Sequence, residues 1–168
     1  MQSSNSAPVH RTSDLCDRYG DEARVCRLAL ASYGGRHAAS GSIACIRVFE
    51  DAALLRNQLD QPGDGRVLIG DAGASLRVAV LGDRMARLGA DNGWRGVIVN
   101  GAVRDADRLA SMDIAIFALG TAPARGSSSG GGESGITVTF GEFAFVPGHF
   151  VCFDRDGVVA LPRVPSQS

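Results

Sequence analysis

The sequence predicts an α/β fold with a central sheet layer, helices outside it and a second β layer. Three observations carry that prediction. Short apolar runs alternate with amphipathic segments of helical period through the middle of the chain, which is β/α in character. The last third is mostly short β segments broken by turn residues. Of 168 residues, 45% are hydrophobic and only 6% aromatic, which makes an aliphatic core. That mixture fits stacked layers better than a simple doubly wound sheet. The length suits one domain, so residues 1–168 are expected to form one, with 1–8 and 162–168 as flexible ends.

Taken in order, Thr12 or Ser13 is positioned to cap a short helix running to Tyr19. Val25 to Leu30 and Ile43 to Phe49 have β-like apolar content. Asp51 to Leu59 reads as a helix with Ala52, Leu55 and Leu59 on one side. Arg66 to Gly70 is a short buried strand followed by glycine-rich residues. Asp83 to Asn92 is a helix with Met85 and Leu88 facing inward and Gly93 ending it. Gly96 to Asn100 is the next strand, Arg104 to Ser111 the next short helix, and Ile114 to Leu119 another strand. Gly126 to Gly135 (GSSSGGGESG) reads as a mobile loop. Ile136 to Phe140, Phe143 to Val146, His149 to Phe153 and Val158 to Leu161 complete the β segments.

Composition removes several function classes. Net charge is −1, and the 17 basic residues are spread among 18 acidic ones. No basic stripe offers itself to a phosphate backbone, so direct nucleic-acid binding is not expected. No apolar run approaches the roughly 18 to 20 residues of a membrane span. The N-terminal stretch has no apolar signal core, which makes the cytoplasm the expected compartment. Cys16, Cys26, Cys45 and Cys152 are widely spaced and read as buried free thiols. Every basic residue is Arg. Carbonyl chemistry then has no side-chain Schiff base available, and a metal is the natural electron sink. GDAGAS at Gly70 to Ser75 is a weak hint of a phosphate-binding module: it is not G-x-G-x-x-G, and without Lys no phosphate-loop motif exists. His10, His37 and His149 fall in no metal-ligand spacing, Trp94 reads as packing at a helix end, and Glu133 lies in the glycine loop.

The most informative stretch is Leu81 to Arg108, LGDRMARLGADNGWRGVIVNGAVRDADR. If the strands before Asp83 and Arg104 are parallel neighbours, the two helices open at the same sheet edge, where ligands of open α/β sheets bind. The amides of Asp83, Arg84 and Met85 are then placed to hold an anion. Asp83 and Asp105 supply hard oxygens, direct or through water, to a cation such as Mg²⁺. Arg104 can reach an oxygen that develops negative charge. The plain alternative is that Asp83 only caps a helix and that Arg104-Asp105 is a surface pair.

The block GDAGASLRVAVLGDRMARLGADNGWRGVIVNGAVRD, followed by DIAIFALGTAPARG, GEFAFVPGHFV and DRDGVV, resembles the RraA-like family, which includes class II 4-hydroxy-4-methyl-2-oxoglutarate aldolases. The resemblance spans nearly the whole chain. It implies a swivelling-type β/β/α domain, a homotrimer with sites between subunits, and a divalent metal, Mg²⁺ or Mn²⁺. It assigns Gly82, Asp83, Arg84 and Met85 to a loop that binds a small 2-keto acid and orders metal-bound water, Arg104 to substrate binding and catalysis with Asp83, and Asp105 to the metal. The implied reaction is retro-aldol cleavage of 4-hydroxy-4-methyl-2-oxoglutarate to two pyruvates, with oxaloacetate decarboxylation through the same enolate. Members with a neutral residue after the arginine are associated instead with binding and inhibiting ribonuclease E. Asp105 therefore favours the enzyme. Longer aldolases of the family carry a C-terminal glutamate with no counterpart here, and a loop lysine where this sequence has Ser127 to Ser129. Both departures imply weaker activity or a different substrate.

Overall fold

In the computed structural model, which describes residues 9–166, the elements run α1 (Thr12–Tyr19), a 3-10 turn (Gly20–Glu22), β1 (Arg24–Val25), β2 (Ala31–Ser32), β3 (Ala39–Arg47), α2 (Ala53–Leu59), β4 (Val67–Asp71), β5 (Ala79–Leu81), α3 (Asp83–Asp91), β6 (Gly96–Val103), α4 (Ala106–Leu109), β7 (Ala115–Thr121), β8 (Glu133–Ser134), β9 (Val138–Phe140), β10 (Phe143–Phe145), β11 (Phe150–Asp154) and β12 (Gly157–Leu161). The main sheet has the order β1-β12-β11-β3-β4-β6-β7-β2, with β5 beside β6 and β8 beside β3. Its centre, β3-β4-β6-β7, is parallel, as strands joined through crossover helices must be. The flanking pairs are antiparallel. No helix among the described residues is long and apolar enough to cross a membrane.

Period-2 alternation sorts the two sheet faces. Leu68, Val97, Val99 and Ile116 pack on the helix side with Leu55, Leu59, Ala86 and Leu109. Val67, Ile69, Ile98 and Phe117 face the other way, onto the β9-β10 hairpin and its Phe140, Phe143 and Phe145. A third cluster seats Leu15 of α1 on Phe150, Cys152, Val159 and Leu161. The layers are therefore helix, sheet and small β layer, as expected. At seven residues α2 is too short to persist alone; Leu55 and Leu59, both fully buried, hold it on the sheet, each side chain contributing about 1.5–3 kcal/mol. Cys26, Cys45 and Cys152 are buried and all four cysteines are free. Burial pushes the Cys45 and Cys152 thiols up to about 12.

Several local expectations are corrected. Neither Thr12 nor Ser13 caps α1: Arg11 occupies that position, and Asp154 at the end of β11 accepts hydrogen bonds from the Thr12 amide (2.9 Å) and hydroxyl (2.7 Å). The cap comes from 142 residues away, beyond the reach of local pattern. Of the first expected strand, Val25 to Leu30, only Val25 lies in β1, which begins one residue earlier at Arg24, and β5 is an addition because three residues show no period. The helix after Arg104 is limited to four residues. Of the expected flexible ends, residues 1–8, 167 and 168 lie outside the described residues, and Arg18 donates to Ser166 through both terminal nitrogens.

The glycine loop is latched. Asp51, 3% exposed, accepts from Ser127 Oγ (2.8 Å), the Ser129 amide (2.7 Å), the Ser129 hydroxyl, the Gly130 amide (3.2 Å) and the Ala53 amide at the start of α2 (3.0 Å). Beyond it, Glu133 and Ser134 pair with β3, and Glu133 bonds Arg47. The Ser129 hydroxyl holds the Asp51 carboxyl well below the usual carboxylate range, against the opposing push of burial, with Ser127 and the Ala53 and Ser129 amides adding to it. A depressed folded-state value means the ionised form stabilises the fold above about pH 4, where the unfolded carboxyl is charged, and that this contribution fades as pH falls below it. Asp51→Ala leaves buried donors unpaired and should cost about 2–4 kcal/mol at pH 7. Urea unfolding at pH 7 and pH 3 checks this: the gap from wild type should shrink at the lower pH.

Candidate functional site

The rim at the carboxyl ends of the parallel strands is assembled by one strand pairing. Leu81 of β5 is in register with Val103 of β6, and the Arg104 amide donates to the Leu81 carbonyl at 2.9 Å. The residues after each strand, Gly82-Asp83 and Arg104-Asp105, thereby lie side by side. Asp105 adopts the left-handed conformation (φ 63°, ψ 39°) as the residue preceding α4, one of the few residue types that tolerates it. That twist turns its carboxylate back, so that Oδ2 accepts the Asp83 amide at 3.0 Å. Gly82 is required by close approach: a Cβ there would sit 2.8 Å from Asp105 Oδ2 and 3.4 Å from Arg104 Cγ.

All the site residues singled out in the sequence sit on this segment of the rim. Arg104 Nε lies 4.0 Å from Asp105 Oδ2, and its Nη1 reaches the Pro123 carbonyl at 3.5 Å. Asp83 Oδ1 accepts the Arg84 amide at 2.8 Å, and Oδ2 accepts Arg108 Nη1 at 3.2 Å. Two of the three amides expected to cradle an anion are therefore satisfied by the protein's own carboxylates. Arg84 is exposed, while Met85 packs part-buried against the helix-side core. Partial burial raises the Asp83 carboxyl, but its contacts with Asp105, the Arg84 amide and Arg108 outweigh this and hold it below its ordinary value. Asp83 is ionised at neutral pH. Arg104 and Arg108 offset the two carboxylates, and exposed Arg84 adds a third positive charge to this segment.

Among the described residues, no three His, Cys, Asp or Glu side chains converge as a metal cage. The donor set fits a different kind of site. Among the described residues Asp105 Oδ1 takes no hydrogen bond, whereas both Asp83 oxygens and Asp105 Oδ2 are engaged. One free carboxylate oxygen beside a second carboxylate suits a hard cation that keeps most of its water, as Mg²⁺ does.

Two cavities lie elsewhere. One, of about 530 Å³, is lined by residues that include His10, Arg36 and Asp154; the other, of about 550 Å³, by residues that include Asp21, Glu142 and His149. At the rim, the side chains of Arg104, Asp105 and Asp83 are 35%, 25% and 25% exposed. Two further groups escaped the sequence reading. Asn100, 7% exposed, donates to Asp71 Oδ1 at 3.0 Å and leaves its own Oδ1 buried without a partner among the described residues; a polar residue ending the apolar run GVIV is its only signal. Arg108 follows Asp105 by three, a spacing that places neighbours together at a helix start. Of the remaining sequence candidates, Trp94 is packing, its Nε1 bonded to the Gln61 carbonyl. His10 stacks edge-on to Phe150, and His37 bonds Ser32.

Comparison with known proteins adds the following. The family model described as RraA-like, Aldolase/RraA, matches residues 12–160. A protein of Aromatoleum aromaticum named "Putative 4-hydroxy-4-methyl-2-oxoglutarate aldolase" is 45% identical over 149 residues, 89% of this chain and 94% of that one. A relative of the same name from Ectopseudomonas mendocina is 41% identical over 155 residues, 92% and 96% of the two chains. Among solved structures, the RNA-processing inhibitor RraA from Thermus thermophilis superposes with a TM-score of 0.91 at 39% identity, covering 95% of this chain and 96% of that one. The structure described as S-adenosylmethionine: 2-dimethylmenaquinone methyltransferase from Geobacillus kaustophilus gives a TM-score of 0.89 at 41% identity, covering 92% and 96%. Those names attach three different activities to one fold, so the site must discriminate among them.

Proposed function

Because the chain belongs to the RraA-like family, we propose that it is a divalent-metal-dependent lyase that cleaves 4-hydroxy-4-methyl-2-oxoglutarate into two pyruvates and decarboxylates oxaloacetate through the same enolate. The observation that carries this reading is the left-handed Asp105, its carboxylate locked on the Asp83 amide beside Arg104. A Mg²⁺ or Mn²⁺ ion held by Asp105, and through water by Asp83, would supply Lewis acidity toward the 2-keto acid. Arg104 donates to the keto oxygen as charge collects there when the C3–C4 bond breaks. Ionised Asp83, through a water, takes the C4 hydroxyl proton, and protonation at C3 releases the second pyruvate. The Gly82–Met85 loop lines the substrate's place: bare Gly82 leaves room, and exposed Arg84 offers a further positive charge.

The partly exposed rim supports a homotrimer in which a second copy covers the site. Phe49 and Leu76, 64% and 52% exposed, sit on loops at the same sheet edge and suit burial there. The even charge balance supports a small-molecule partner over nucleic acid, and the cytoplasm is the compartment that goes with this reading. The RNA-processing inhibitor among the similar structures supports the alternative reading, a non-enzymatic regulator that binds and inhibits ribonuclease E.

Purified protein given either substrate with Mg²⁺ or Mn²⁺ should release pyruvate, followed by coupled reduction with lactate dehydrogenase, and a chelator should stop it. Silence with both substrates under all metals would displace the aldolase reading, and co-purification with ribonuclease E would then put the regulator first.

A further inference from the structure

Charges alternate along the rim in the order Arg104, Asp105, Asp83, Arg108. The two carboxylates are joined through the Asp83 amide. Arg104 is 35% exposed beside Asp105, while Arg108 is 72% exposed on the far side of Asp83. An exposed single-contact ion pair adds only about 0–1 kcal/mol of stability, so the fold gains little from Arg108. The pairing does fix its direction. One nitrogen is held on Asp83 Oδ2, and the rest of the five-donor fork has no recorded hydrogen bond among the described residues.

In a 2-keto acid seated at Arg104 and Asp105, a far end that runs along the rim meets Asp83 and then Arg108. When that end is a carboxylate, it brings a full negative charge toward ionised Asp83, and a cation on that side must offset the repulsion. Arg84 and Arg125 are also exposed nearby in the chain's path around the rim, but neither forms an ion pair among the described residues. Of these three arginines, Arg108 is the one whose side chain is tied to the aspartate pair among the described residues.

We propose that Arg108 is a specificity-determining residue that receives the distal carboxylate of a dicarboxylic 2-keto acid. This rests on the aldolase reading above. It makes the preferred substrate one with a carboxylate at each end, and gives the position three residues past the metal-side aspartate a role separate from the chemistry at Arg104.

The test compares 4-hydroxy-4-methyl-2-oxoglutarate with 4-hydroxy-4-methyl-2-oxopentanoate, in which a methyl replaces the distal carboxylate and the products are pyruvate and acetone. Arg108→Ala should lower the dicarboxylate-to-monocarboxylate ratio of kcat/KM by about 10- to 100-fold, the worth of a charge-assisted hydrogen bond, mainly through KM. Arg108→Lys should restore part of the ratio, because the charge returns without the fork, and Arg125→Ala should move it less than Arg108→Ala does. An equal loss on both substrates would mean Arg108 acts only by holding Asp83, and would overturn the proposal. So would an unchanged ratio. Thermal shift with the unreactive pair 2-oxoglutarate and 2-oxopentanoate separates this from the fate of the aldolase reading. If wild type turns over neither hydroxy acid, that reading fails, and a 2-oxoglutarate preference erased by Arg108→Ala still supports dicarboxylate recognition; equal shifts in wild type and variant overturn it.

Discussion

Asp105→Asn should reduce metal-dependent pyruvate release by roughly 100-fold or more while leaving the fold and the solution mass unchanged. Asn is the informative replacement. It tolerates the left-handed backbone at φ 63°, and its amide oxygen can still accept the Asp83 amide, so the loop geometry survives. What it loses is the charge that a hard cation requires. Asp105→Ala confounds the test, because a residue with a Cβ and no polar side chain in that conformation costs about 1–2 kcal/mol in backbone strain. Steady-state turnover across Mn²⁺ concentrations, read beside circular dichroism and gel filtration, checks the outcome. Undiminished turnover by a folded Asp105→Asn protein would remove Asp105 from the reaction.

Arg104→Lys should lower kcat by about 10²–10³, or roughly 3–4 kcal/mol of transition-state stabilisation. The cation is retained, yet Arg104 touches two things at once: its Nη1 reaches the Pro123 carbonyl and its Nε side faces Asp105. A planar fork does both, whereas an ammonium on a flexible stem does one. The effect belongs in kcat, since the oxygen that Arg104 faces carries its charge only as the bond breaks. A variant that instead raised KM alone would recast Arg104 as a substrate anchor. Its position is fixed by the backbone bond from its amide to Leu81, so the substitution should leave the strand pairing intact.

The layered architecture was legible because burial on two sheet faces writes itself into alternation. Leu68 and Ile69, or Val97 and Ile98, point to opposite cores and can only be neighbours in a strand covered on both sides. The candidate site was legible for a different reason. Gly82-Asp83 and Arg104-Asp105 each open a helix in the β/α stretch, and parallel strands deliver such residues to a common edge, although β5 before Gly82 came only with the structure. What local pattern missed was supplied from a distance. The Ser-Gly loop reads as mobile because nothing within it can satisfy its own donors, yet Asp51, 76 to 79 residues earlier, accepts from Ser127, Ser129 and Gly130. Asp154 substitutes for the expected cap of α1 in the same way. The anion cradle at α3 was anticipated from its free amides, but two of them had already been taken by neighbouring carboxylates.

The sequence by itself determined the central strands, the main helices, the two-sided burial and the residue types at the rim, because side-chain period and backbone propensity act over a few residues. Only the tertiary structure decided that Asp83 and Asp105 share a hydrogen bond, that Arg108 completes the alternation of charge, and that Asp51 fastens a loop from across the sheet. Those outcomes depend on pairing β5 with β6 and on a single left-handed residue, and hydrogen bonds between segments 22 to 79 residues apart leave no trace in local composition.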